Sequence, residues 1–169
     1  MVTGGAGFIG SHLVDRLAEV AGKVIIYDNF DEYYRGKEEN ILHHQGNPKI
    51  SLWRADILNL DTLKEAMKGV EVVFHLAAQP GVRFSLKNPE KTNLVNVTGT
   101  LNLLIAASSS RVKKVVFASS SSVYGEPLYL PVDEDHPRNP ISIYGSSKLM
   151  AEHYCRIYND LYNLPVVML

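Results

Sequence analysis

A chain of 169 residues, 46% hydrophobic and with a formal net charge of −1, can bury the core of one domain and carries no basic stripe with which to grip nucleic acid. No apolar run reaches the roughly 20 residues that span a bilayer, and no secretory leader is visible ahead of the first glycine turn. The one cysteine, Cys155, rules out an internal disulfide and a cysteine-based zinc cluster and fits a reducing cytoplasm, where the Asn96-Val97-Thr98 sequon would carry no glycan.

Residues 1–3 read as the stub of a first strand. Thr3-Gly4-Gly5-Ala6-Gly7-Phe8-Ile9-Gly10-Ser11-His12 follows, with Gly4, Gly7 and Gly10 ahead of an amphipathic helix over residues 11–20. Glycine lets a backbone turn sharply and approach a ligand, and a helix start offers free N–H groups to phosphates. Residues 23–27 form a second strand, and Asp28 closes it about 20 residues after the glycine turn. A carboxylate there can accept both hydroxyls of an adenosine ribose and would repel a 2′-phosphate. No arginine follows at once, so NAD is favoured over NADP. Residues 50–54 form a third strand, with Asp56 just beyond it. Asp56 either accepts the adenine amino group, with Ile57 against the ring, or merely caps a turn.

Asp61 reads as the N-cap of a helix over residues 62–68, which Gly69 ends. Residues 70–76 are a strand buried on both faces, and a long helix covers 89–108, with Leu94, Val97, Leu101, Leu104 and Ile105 at helical spacing. A buried strand over 113–118 leads into Ser119-Ser120-Ser121-Ser122-Val123-Tyr124-Gly125. A helix over 143–162 and a strand over 165–169 complete the pattern. Such alternation implies an α/β fold, a doubly wound parallel sheet of Rossmann type, in which ligands bind beyond the carboxyl ends of the strands. Tyr144 and Lys148 stand at i and i+4 on one helix face. An ammonium beside a phenol lowers its pKa and makes a base for a hydroxyl proton. Hydroxyls of the serine run can relay that proton or orient a substrate. His75 reads as a satisfied core histidine and His12 as structural. His43, His44, His136 and His153 have no metal-ligand partners at useful spacing, so no metal site is expected.

Taken together, the glycine turn, Asp28-Asn29, Asp56-Ile57, His75-Leu76-Ala77-Ala78-Gln79, Asn96-Val97-Thr98-Gly99-Thr100, the serine run with Val123-Tyr124-Gly125, and Tyr144-x-x-x-Lys148 resemble one family over nearly the whole chain. The family is that of the extended short-chain dehydrogenases/reductases, in its nucleotide-sugar epimerase/dehydratase branch. The resemblance implies that Tyr144 is the base, Lys148 its pKa tuner and ribose ligand, Ser120 the catalytic hydroxyl, and Asn96 a support for the active-site hydrogen bonds. It further implies that Phe8 and Ile9 give N–H groups to the pyrophosphate. Leu76, Ala77, Ala78 and Ser119 would lie along the cofactor.

Dehydratases of the branch carry an Asp-Glu pair where this chain has Ser121-Ser122, which argues against water elimination, and the related decarboxylases favour a glutamate in that segment. Gln79-Pro80-Gly81-Val82-Arg83 and the 119–125 segment look most like UDP-sugar 4-epimerases acting on UDP-glucose or UDP-glucuronate, commonly homodimers. Family members carry a further segment that closes over the UDP-sugar. The resemblance therefore implies that residues 1–169 are one NAD-binding domain, clipped at both ends and weak or inactive alone. The alternatives are a non-catalytic NAD(H)-binding module and another nucleotide-sugar-modifying enzyme of the same family.

Overall fold

A computed structural model describes residues 1–169. Six parallel strands form one sheet in the order β3-β2-β1-β4-β5-β6, and the order reverses between β1 and β4. The strands are β1 (Val2–Thr3), β2 (Val24–Asp28), β3 (Ile50–Arg54), β4 (Val72–His75), β5 (Lys114–Phe117) and β6 (Val166–Met168). The helices are α1 (Phe8–Val20), α2 (Lys37–Ile41), α3 (Leu60–Ala66), α4 (Val82–Lys87), α5 (Pro89–Asn93), α6 (Gly99–Ser109) and α7 (Ile143–Leu161).

Strand periodicity divides the core between the two faces of the sheet. Tyr27, Val73, Val115 and Phe117 pack with Leu63 of α3, Leu103 and Leu104 of α6, and Ala151 and Cys155 of α7. Val2, Val24 and Ile26 pack with Val14 of α1 and Ile41 of α2. The sheet is thus covered on both faces, which leaves its carboxyl edge as the open crevice. No helix is long and apolar enough to cross a membrane.

Three local expectations are corrected. α1 begins at Phe8, because Gly7 is already its N-cap. α3 is capped by Asn59, whose side chain accepts from the Thr62 amide at 3.0 Å, so Asp61 lies in the first turn instead. Asp61 still complements the positive helix end there. The predicted long helix contains a widened π-turn, Leu94–Thr98, between α5 and α6. α2 and α4 are short helices with no apolar stripe long enough to announce them.

Candidate active site

The glycine turn is tight because backbone replaces side chain. Gly4 has φ +69°, and a Cβ on it would sit 2.7 Å from the Ala77 nitrogen. A Cβ on Gly10 would lie 2.2 Å from the Gly4 carbonyl oxygen, an impossible contact. Gly7 then releases the chain into α1, leaving Phe8 and Ile9 exposed on the first turn with their amides free for an anion.

Asp28, at the end of β2, is 5% exposed. Its carboxylate accepts from the amides of Ala6 at 3.1 Å and Phe30 at 2.8 Å, and Lys37 lies 3.4 Å away. Asp28 therefore braces the glycine turn as well as facing the crevice. Asp56 shapes its own turn: Oδ1 accepts from the Leu58 amide at 2.9 Å and Oδ2 from the Asn29 amide group at 2.8 Å. Of the two readings left open by sequence, the turn cap is thus present. Ile57 is 4% exposed and belongs to the core. Its Cδ1 would lie 2.5 Å from a Cβ on Gly99, so α6 can lie this close only because residue 99 is glycine.

At the other end, the Ser142 hydroxyl accepts from the Gly145 amide at 3.0 Å and caps α7, and the Ser85 hydroxyl of α4 accepts from the Tyr144 amide at 3.1 Å. Tyr144 is thereby fixed at the entrance to the helix. Lys148, one turn on, is 4% exposed. It donates to the Ala118 carbonyl at 2.9 Å and lies over the Phe117 ring, 4.8 Å from its centroid. Burial pushes its ammonium down to about 8.

The expected depression of the Tyr144 pKa by Lys148 is corrected here. Burial pushes the phenol above its usual value; the Ser120 hydroxyl pulls it partly back, and the Tyr34 phenol adds to the rise. The reason is geometric, since the Lys148 ammonium is turned to the end of β5. The Ser120 hydroxyl, which opposes burial at the Tyr144 phenol, accepts from the Ser122 amide at 3.2 Å. Ser119 donates to the buried Glu152 carboxylate of α7, which Arg138 flanks at 3.5 Å.

Asn96 occupies the π-turn and is 1% exposed. Its Oδ1 accepts from the Gln79 amide at 2.7 Å, and its Nδ2 donates to the Gln79 carbonyl at 3.1 Å and the Ser147 hydroxyl at 2.9 Å. Asn96 thus ties the loop after β4 to α7, a positioning role that leaves no amide group free for a glycan. His75, in β4, lies between the hydroxyls of Thr3 at 2.7 Å and Thr100 at 3.0 Å, and burial, with the Lys148 charge second, pushes it down to about 3. Thr100 donates onward to the Asn96 carbonyl at 2.6 Å, so Nε2 of His75 donates to Thr100 and Nδ1 accepts from Thr3. A satisfied core histidine is what the sequence suggested.

One cavity of about 820 Å³ joins the two ends. Gly4, Gly7, Phe8, Ile9, Gly10, Asp28, Asn29, Asp56 and Ile57 line one side, and Leu76, Ala77, Ala78, Ser119, Tyr144 and Lys148 the other. Its size is within the range of small-molecule and cofactor sites. Sequence reasoning missed Tyr33, Tyr34, Arg35, Lys37 and Asn40, which also line it. They follow β2 in a loop and short helix whose composition carries no periodic signal. The histidine reading also needs correction, because His43 and His44 both meet Asp15. Residues 28 positions apart on two elements have no visible spacing rule.

A parallel sheet with the 3-2-1-4-5-6 order, a glycine turn at β1 and a crevice at the reversal of strand order defines a dinucleotide-binding fold. The family profile of GDP-mannose 4,6 dehydratase matches residues 1–169, and the chain belongs to that family. A protein of Methanocaldococcus jannaschii, provisionally assigned as a UDP-glucose 4-epimerase, is 48% identical over 171 residues, covering 100% of this chain and 53% of its own length. The UDP-glucose 4-epimerase of Mycolicibacterium smegmatis is 43% identical across 97% of this chain and 52% of its own. The UDP-glucuronic acid 4-epimerase of Bacillus cereus, solved with UDP-glucuronic acid and NAD, superposes with a TM-score of 0.93 at 38% identity, over 99% of this chain and 54% of that one. The chain spans about half the length of the relatives it matches.

Proposed function

We propose that these residues form the cofactor-binding domain of an NAD-dependent UDP-sugar 4-epimerase. The observation that supports it most is convergence: Tyr144 and Lys148 share one cavity with the glycine turn and Asp28, and Ser120 follows β5 at the same edge of the sheet. The fit to a dinucleotide rests on two features of this chain, the Cβ-free approach at Gly4 and Gly10 and the carboxylate at the end of β2. Gly7, Phe8 and Ile9 would receive the pyrophosphate at the start of α1, and Asp28 and Asn29 the adenosine ribose, with Asp56 and Ile57 beside the adenine. Leu76, Ala77, Ala78 and Ser119 would line the path to Tyr144.

NAD, once bound, supplies hydride uptake from C4 of the sugar and hydride return to the opposite face. The chain supplies positioning and proton control. Tyr144 takes the C4 hydroxyl proton and later returns it, and Ser120 holds that proton's path. Lys148 would bind the ribose; Asn96 holds the Gln79 loop against α7. Ser121 and Ser122 leave the segment without the acid pair that water elimination uses. Epimerisation is therefore favoured over the dehydration that gives the family its name. The relatives extend to about twice this length, so the 169 residues by themselves would bind NAD and turn over a UDP-sugar, of glucose or glucuronate type, weakly or not at all. A homodimer in the cytoplasm completes the reading. The unpaired Cys155 agrees with that compartment.

The test is a pair of measurements. In the full-length protein, Tyr144→Phe lowers kcat for UDP-glucose/UDP-galactose interconversion by about 10²- to 10⁴-fold. NAD affinity by calorimetry stays within about threefold, which is about 0.6 kcal/mol. Undiminished turnover in the variant would remove Tyr144 from the reaction, and no turnover by the wild type would leave a binding module.

A further inference from the structure

On the face of α1 away from the cavity, a second group of side chains converges. Asp15 of α1 faces the turn Leu42–His44 that follows α2. Nε2 of His43 and Nε2 of His44 each lie 2.7 Å from the same oxygen, Asp15 Oδ1. Successive residues of such a turn point about 120° apart, so bringing both rings onto one atom is not what the backbone does unaided. The rings stand 4.1 Å apart at 40° to one another. His12, one turn before Asp15 on α1, brings Nδ1 to 3.7 Å from Oδ2. His44 is nearly enclosed, its side chain 9% exposed, whereas His43 is 57% exposed.

The atoms that could serve as ligands from Asp15, His43 and His44 lie within 4.8 Å of one another. Four-coordinate zinc, with bonds of about 2.0–2.2 Å, sets its ligands roughly 3.4 Å apart. Each Nε2, now 2.7 Å from Oδ1, would have to draw back by about 0.7 Å to reach that spacing. Each histidine would then offer a lone pair, with the carboxylate completing three protein ligands and His12 or water the fourth.

We propose that Asp15, His43 and His44 form a binding site for a divalent first-row transition ion, of which Zn²⁺ is the probe, joining α1 to the turn after α2. Imidazole and carboxylate suit zinc, nickel or copper; Mg²⁺ and Ca²⁺ prefer all-oxygen sets. The bridge would be structural. Asn40 of α2 donates to the Ala6 carbonyl at 3.0 Å, and Lys37 of α2 lies beside Asp28, so fixing α2 steadies the adenosine end of the cavity.

The experiment is calorimetric titration of the untagged, EDTA-stripped chain with ZnCl₂, beside His43→Ala and His44→Ala. The wild type is expected to take one ion per chain, and each variant to bind at least about tenfold more weakly. At zinc near 100 times the wild-type Kd, thermal unfolding of the wild type shifts upward by roughly 5–10 °C, and that of His43→Ala by about half as much or less. Cobalt substitution gives the intense visible bands of a four-coordinate nitrogen and oxygen site. Because His43 is largely exposed, its variant keeps the fold even if His44→Ala does not, and far-ultraviolet circular dichroism of the stripped proteins checks this. No zinc bound by the wild type, or equal affinity in His43→Ala, overturns the proposal.

Discussion

At the glycine end of the cavity the wall is backbone, and at the other end it is side chain. Gly4 and Gly10 meet Ala77 and each other across distances that no Cβ could share. Tyr144, Lys148 and Asn96 instead depend on a buried web running through Ser85, Ala118, Gln79 and Ser147. A backbone wall fails by steric exclusion, all at once. A side-chain web fails by stranding polar groups, one bond at a time.

Substitutions sharpen that contrast. Gly10→Ala places a methyl 2.2 Å from the Gly4 oxygen, so the turn must open. We expect a loss of about 3 kcal/mol in urea unfolding and the loss of detectable NAD binding by calorimetry. Asn96→Ala leaves the Gln79 amide and carbonyl and the Ser147 hydroxyl without their partner. That should cost about 2 kcal/mol in the same assay while NAD binding persists in weakened form. Equal effects of the two on NAD binding would erase the distinction between the ends.

The most gradual effect is one of pH. His75 is held neutral, pushed down to about 3 from an ordinary 6.5, whereas the unfolded chain protonates it. The unfolded state therefore binds more protons between those values. Stability is fully present above about pH 6.5 and falls as the pH drops toward 3, by at most about 1.4 kcal/mol per pH unit. Urea unfolding of wild type and His75→Gln at pH 7, 6, 5 and 4 checks this, the variant giving the shallower slope.

The same division explains what the sequence disclosed. Gly4, Gly7 and Gly10 were legible because a close backbone approach demands one residue type, and that type is visible at its own position. The alternation of strands and helices likewise announced the sheet, whose β2 sends side chains into the core on both faces. The direction of Lys148 was not legible, because sequence spacing places its Cα beside Tyr144 but not its ammonium, which the Ala118 carbonyl captures. The π-turn at Asn96 escaped for a related reason: apolar spacing continues through it while one hydrogen-bond step widens. Asp15 with His43 and His44 is wholly tertiary, arising where α1 passes the turn after α2.

The most direct measurement is a crystal structure of the chain soaked with NAD⁺. Adenine beside Asp56, pyrophosphate at the first turn of α1 and nicotinamide within contact of Tyr144 would bear out one continuous binding cleft. Electron density for the dinucleotide elsewhere, or lying in the cleft with its ends reversed, would contradict it.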